Sequence, residues 1–192
     1  MILSDREVRL ALERGWVKLV PVPPEELWSS TAVDLRLDAQ LPRWVAPAGT
    51  GGLCFRPGHP DFNFGEIVQR YSEPIDVSAA GYVLPPQGFV LGWTLEQIQL
   101  PNASRVCARV EGKSSLARLG LGVHITAPTI HAGFGQAAPD GIPLQLEIWN
   151  VGPLPIELVC GMPICQIIFE EVHGTPEKGY RGQFHVQGPG PS

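Results

Sequence analysis

Twenty-two glycines and 20 prolines lie among the 192 residues of this chain. Turn-forming residues at that density leave little room for long helices and suit many short strands joined by turns, so a mainly β fold is expected. One core commonly serves roughly 100 to 200 residues, and residues 1–192 are read as a single domain. With 44% hydrophobic and 17% charged residues, the chain is too apolar for a disordered regulator. It has no apolar run near the ~18 residues of a bilayer span, so no membrane partner is expected. The opening MILSDREVRL carries neither an apolar h-region nor a small-residue cleavage site, which points to a cytoplasmic location. A formal net charge of -5 argues against nucleic-acid binding, since phosphate contacts need a basic surface. Any anionic ligand must be met by a local cluster of cations.

Ser4 followed by Glu7 fits a capping box, and Val8, Ala11 and Leu12 share one helical face, so a helix is expected over 5–14, the longest of the chain, with Gly15 as its stop. Residues 32–37 alternate apolar and charged at the strand period, turning Val33, Leu35 and Leu37 to a core. Residues 46–66 read as a long excursion with one short strand near Cys54. Residues 82–93 carry a hairpin signature around Pro85-Pro86-Gln87-Gly88, and 105–110, 124–130, 144–149, 155–159 and 164–172 read as further strands. Between two of them, 111–122 begins with small and polar residues, offers a serine N-cap and is expected to form one helical turn. The Gly- and Pro-rich stretch 174–192 reads as a tail that orders over a ligand or partner. Cys54, Cys107, Cys160 and Cys165 form no C-x-x-C pair, and reduced core thiols are expected.

Lys113, Ser114, Ser115 and Arg118 put two cations and two hydroxyls within six residues at the start of the helical turn, a composition suited to phosphate. An ordinary surface turn with solvated charges accounts for the same pattern. In 143–150, Gln145, Glu147 and Trp149 alternate with Leu144, Leu146 and Ile148. Glu147 is thus either a half-exposed strand carboxylate or, if enclosed, a general acid–base group with a raised pKa. His131 is equally open to a structural or a functional role. The five histidines show no ligand spacing, and neither H-x-E with P-C-x-x-C nor H-E-x-x-H occurs, so no zinc is expected. The serines lack the G-x-S-x-G elbow of a nucleophile.

Taken together, 111–121 (EGKSSLARLGL), 124–127 (HITA), 146–150 (LEIWN) and Gly161-Met162 resemble the dCTP deaminase branch of the dCTP deaminase and dUTPase superfamily. Leu3-Ser4-Asp5-Arg6 and 30–37 look like that family's amino-terminal helix and first strand. The resemblance implies a distorted jelly-roll-like β-barrel with a short N-terminal helix, assembled as a homotrimer with active sites between subunits. It also implies zinc-independent hydrolysis of dCTP to dUTP and ammonia. Glu147 then matches the glutamate that activates water at C4 of cytosine, and Ser114 and Arg118 the residues that hold base, water and glutamate in register. Lys113, standing where the family has arginine, and Ser115 match a phosphate-binding pair. Ala127, His131 and Phe134 fall at the sugar and base, with His131 in place of an aspartate that contacts the 3′-hydroxyl. In the tail, Tyr180-Arg181-Gly182-Gln183 resembles a closing segment, making Gln183 a triphosphate contact with Lys178, Tyr180 and Arg181 beside it. Mg²⁺ is implied with the triphosphate, held chiefly by phosphate oxygens. The stretch 135–143 is longer than the family's turn and adds Asp140. Two rivals stand beside this reading: a dUTP diphosphatase or bifunctional enzyme forming dUMP and pyrophosphate, and a non-catalytic nucleotide sensor.

Overall fold

The computed structural model describes residues 1–45, 54–123 and 127–178. Its first helix, α1 (Asp5–Glu13), starts as the capping box requires: the Ser4 hydroxyl accepts the Glu7 N–H and donates to the Glu7 carboxylate. Val8 and Ala11 are buried, and Gly15 ends the helix at φ 66°, a backbone conformation that glycine adopts without steric cost. The elements that follow are β1 (Lys18–Val20), β2 (Val33–Arg36), β3 (Gln40–Trp44), α2 (Phe64–Tyr71), β4 (Ser72–Asp76), β5 (Tyr82–Leu84), β6 (Phe89–Gln99), β7 (Val106–Gly112), α3 (Ser114–Ala117), β8 (Leu121–Val123), β9 (Thr129–Ile130), β10 (Ile142–Asn150), β11 (Ile156–Leu158) and β12 (Pro163–Glu171). Among the described residues α1 is the longest helix, as its pattern indicated.

The mainly β expectation holds. Two four-stranded antiparallel sheets, ordered β1-β6-β10-β8 and β2-β12-β7-β9, accompany two ribbons, β3-β4 and β5-β11. One buried cluster draws on both large sheets, including Leu35, Ile98, Leu146, Ile148, Ile167 and Phe169. Fully burying each such side chain contributes about 1.5–3 kcal/mol. Among the described residues the strands do not close into the expected barrel; the ladders end at β1 and β8 in one sheet and at β2 and β9 in the other. Pro143 and Pro163 supply no ladder N–H, and each stands at a register shift, so the strands bend there instead of continuing the pairing.

At the shift in β10 the side chain of Thr94 fills the break in the ladder. Its hydroxyl accepts the Leu144 N–H at 2.9 Å and donates to the Glu96 carbonyl at 2.7 Å. The two sheets are tied by charge as well. Glu96 on β6 is 0% exposed, and its carboxylate takes the Arg36 backbone N–H at 2.8 Å and the Arg36 Nε at 2.7 Å.

The expected hairpin does not form. β5 pairs with β11, whereas β6 pairs with β1 and β10. The turn itself is present, with the Gly88 N–H bonded to the Pro85 carbonyl, but Gln87 donates to the Asn150 carbonyl and sends the chain into the other ladder. Among the described residues 54–66 no strand forms; α2 begins at Phe64, capped by Asn63, whose side chain accepts the Glu66 N–H. All four thiols are free, but Cys165 alone is buried; Cys107 and Cys160 are half-buried and Cys54 is exposed. Residues 46–53 of the 46–66 excursion, the 124–126 part of the HITA motif and 179–192 of the tail lie outside the described residues.

Candidate active site

The helical turn α3 is positioned by backbone alone. Lys113 is its N-cap, in extended conformation with no side-chain cap, and its carbonyl accepts the N–H groups of Leu116 and Ala117. The serine N-cap expected from the sequence is therefore displaced by one residue: Ser114 is already inside the turn, and its hydroxyl is not used to start the helix. Ser114 and Ser115 are both exposed. They stand on the wall of a cleft of about 500 Å³ lined also by Glu111, Lys113, Gly122, Trp149 and Gln166.

β10 contributes Trp149 to the lining. Its burial alternates along the whole strand, with Leu144, Leu146 and Ile148 in the core and Gln145, Glu147 and Trp149 half-buried on the other face. Trp149 is thus brought to α3, and Glu147 shares its face two residues away, a spacing of about 7 Å along a strand. Trp149 pairs with Gly122 of β8, and its indole occupies the space a side chain at 122 would need. A Cβ on Gly122 would lie 2.2 Å from Trp149 Cζ2 and 2.3 Å from Cε2. Gly122→Ala is expected to displace the ring and cost about 1–3 kcal/mol by overpacking. Thermal unfolding together with a shift in tryptophan emission reads this; an unchanged melt and spectrum would count against the placement of the ring.

The residues singled out from the sequence separate into three groups. Lys113, Ser114 and Ser115 meet in the cleft, but the Lys113 ammonium is paired with the Asp34 carboxylate of β2. Arg118, the C-cap of α3, is exposed and is absent from the described cleft lining, as is Glu147. The remaining described residues lie elsewhere. Ala127 and Lys178 are exposed, His131 is exposed on the turn that follows β9, and Phe134 is 5% exposed within the core cluster. That turn is fastened to the end of β6: the Gly133 N–H donates to the Leu100 carbonyl at 2.6 Å and the Leu100 N–H to the Phe134 carbonyl at 2.8 Å. Tyr180, Arg181 and Gln183 are outside the described residues.

The long stretch 135–143 is held in place. Buried Gln99 donates its side-chain amide to the Ala138 carbonyl at 2.6 Å, and Lys18 donates to the Pro139 carbonyl at 2.6 Å. Gly135 and Gly141, both at positive φ, pass so close to the Ile98 carbonyl that a Cβ would lie 2.2 and 2.4 Å from its oxygen. Asp140 is exposed on this loop.

Asp34, Trp149 and Gln166 were not marked by the sequence as parts of a site. For Trp149 the signal was present, since it shares the alternation that places Glu147. Asp34 is separated from Lys113 by 79 positions, and no local pattern joins them. A thiol role at this end of β12 is disfavoured: burial, and then the carboxylates of Glu96 and Asp34, push the Cys165 thiol well above its ordinary range, away from the reactive thiolate.

A model of the dCTP deaminase-like family matches residues 2–172 of the chain. A dCTP deaminase of Rhodospirillum rubrum is 35% identical over 181 residues, covering 94% of this chain and 87% of that protein. A dUMP-forming dCTP deaminase of Aquifex aeolicus is 36% identical over 188 residues, covering 97% of this chain and 91% of the other. Among solved structures, the 2'-deoxycytidine 5'-triphosphate deaminase of Agrobacterium tumefaciens superposes with a TM-score of 0.66 at 25% identity over 90% of this chain. The match covers 48% of that protein, so this chain spans about half its length.

Proposed function

Because the chain belongs to the dCTP deaminase-like family, we propose that it is an enzyme that hydrolyses dCTP at C4 of the cytosine, releasing dUTP and ammonia. The observation that carries this reading is the adjacency of two chemistries: an amine and two hydroxyls from 113–115 on the cleft wall, where Trp149 also stands, and Glu147 two residues from Trp149 on the same face of β10. The first set suits a polyphosphate. A carboxylate at the second suits proton transfer.

In the proposed reaction Glu147 takes a proton from water as the water oxygen bonds to C4. The same carboxyl group delivers that proton to N3 of the base and then carries the proton of the new 4-hydroxyl to N4, so that the C4–N4 bond breaks, ammonia leaves and the C4 carbonyl forms. Ser114 and Arg118 orient the base and the attacking water.

Within one chain Arg118 is not gathered into the described cleft, and we read the working site as one shared between copies in a homotrimer. Leu119, Val151 and Leu154 support this. They are 58%, 75% and 69% exposed and adjoin α3 through the Gly120–Val151 backbone bond, an apolar surface that a second copy would cover. Lys178, Tyr180, Arg181 and Gln183 are assigned to the triphosphate, Ala127, His131 and Phe134 to the base and sugar.

Mg²⁺ belongs to this reading as part of the substrate complex. No group of three or more His, Cys, Asp or Glu side chains converges among the described residues, and the donors of the cleft wall, an ammonium and hydroxyls, suit the anion. The residues present therefore fit a cation carried in by the phosphate oxygens. No described helix is long and apolar enough to cross a membrane, and we place the reaction in the cytoplasm.

A second reading, continuation to dUMP and pyrophosphate, is favoured by the relative of that name. Incubation of the purified protein with dCTP and Mg²⁺, with nucleotides, ammonia and pyrophosphate resolved over time, tests both. dUTP with ammonia supports the monofunctional reading, and dUMP with pyrophosphate supports the second. Unchanged dCTP, with nucleotide bound, would leave a sensor.

A further inference from the structure

Lys113 stands on the cleft wall with its ammonium already engaged. It donates to Oδ2 of Asp34, and the two side chains are 23% and 20% exposed. Asp34 lies on β2 on the face opposite buried Val33 and Leu35. It is directly across the ladder from Gln166 of β12, whose side chain lines the cleft while Asp34 does not. The carboxylate therefore meets the lysine from a strand next to the cleft lining.

An ammonium has three donors. Asp34 takes one and leaves two for a ligand. Lysine is a point charge on a flexible four-carbon stem, without the planar fork by which a guanidinium orients itself on an oxyanion. Ordering that stem at the moment of binding costs side-chain entropy. A partner that orders it beforehand removes this cost from the binding step.

Resting on the reading of the cleft as a nucleotide triphosphate site, we propose that Asp34 is a positioning residue for Lys113, holding the ammonium at the cleft wall so that its remaining donors meet the polyphosphate. Asp34 touches neither the base nor the phosphates. Its contribution depends on the presence of Lys113 and grows with the number of phosphates in the ligand.

The test is titration calorimetry with dCTP, dCMP and inorganic tripolyphosphate on the full chain and on Asp34→Asn, Lys113→Ala and the double variant, alongside thermal unfolding. Asp34→Asn is expected to weaken dCTP and tripolyphosphate by about tenfold, or ~1.4 kcal/mol, and to leave dCMP within about twofold. In the Lys113→Ala background it should add nothing, since the two act as one unit. Losses that add, or an equal loss for dCMP, would mean a merely structural carboxylate and would overturn the inference. Tighter binding by Asp34→Asn would overturn it as well, by showing that Asp34 competes with the ligand for the lysine.

If the asparagine variant does not fold, Lys113→Arg supplies its own fork and carries the comparison. Adding Asp34→Glu to it should change tripolyphosphate binding by less than the same change does with Lys113 present, and an equal change overturns the proposal. Binding is read without turnover. Asp34-dependent binding of tripolyphosphate in a protein that releases no ammonia would defeat the deaminase reading and leave this inference standing. A wild-type chain that binds neither polyphosphate defeats both.

Discussion

Glu147→Gln binds dCTP with nearly unchanged affinity and loses turnover by about 10² or more, the contribution typical of a positioned general acid–base group. The amide keeps the size of the side chain and its place among half-buried neighbours on β10, so the fold and the cleft survive while the group able to accept a proton from water is gone. Ammonia release measured against nucleotide binding in the same preparation checks this. A kcat within about threefold of wild type, far short of that contribution, would remove Glu147 from the chemistry and return it to the role of an ordinary strand carboxylate.

Arg36→Ala is expected to be the most damaging substitution outside the site. It strips the guanidinium from Glu96, a carboxylate of β6 with no exposure, and leaves that buried charge with the backbone N–H of residue 36. Breaking a buried pair from one side typically costs about 3–5 kcal/mol. In a chain of this size that lowers Tm by on the order of 10 °C. The paired replacement Arg36→Met with Glu96→Leu removes both charges and should recover most of the loss, because apolar side chains of similar volume are tolerated where a lone charge is not. Thermal and urea unfolding of the single and double variants measure it. A single variant that loses less than about 1 kcal/mol, or a double that is worse, rejects this account of the pair.

Much of the fold was legible where the signal is local. The Ser4–Glu7 box, the alternation of 32–37 and the alternation of 143–150 each specify their element through neighbours a few residues apart. What failed depends on partners far along the chain. The 82–93 segment shows its turn plainly, but nothing within it says that β5 pairs with β11 and β6 with β10. α2 was missed although Asn63 and Glu66 carry the same kind of cap as α1, because the surrounding Gly, Pro, Asp and Asn make the whole stretch read as loop.

The candidate site divides in the same way. Lys113, Ser114 and Ser115 are adjacent in sequence and meet in the cleft. The Asp34 partner of Lys113 comes from another strand of the other end of the chain and left no trace in the local pattern. Phe134, assigned to the sugar by resemblance, lies within the core cluster. Placing it against a ligand asks more of the structure than a ring on an open surface would.

The Thr94 hydroxyl that fills the break between β6 and β10 has a consequence for how errors in folding are handled. A slip of β10 by one residue would turn Leu144, Leu146 and Ile148 outward and press Glu147 into the core. It would also leave the buried Thr94 hydroxyl without the Leu144 N–H that it accepts. Such a chain has no half-working form: the defect that misplaces the carboxylate also exposes an apolar strand face. Chaperones and proteases recognise faulty chains by that kind of surface, so a misassembled site is removed with the chain that bears it.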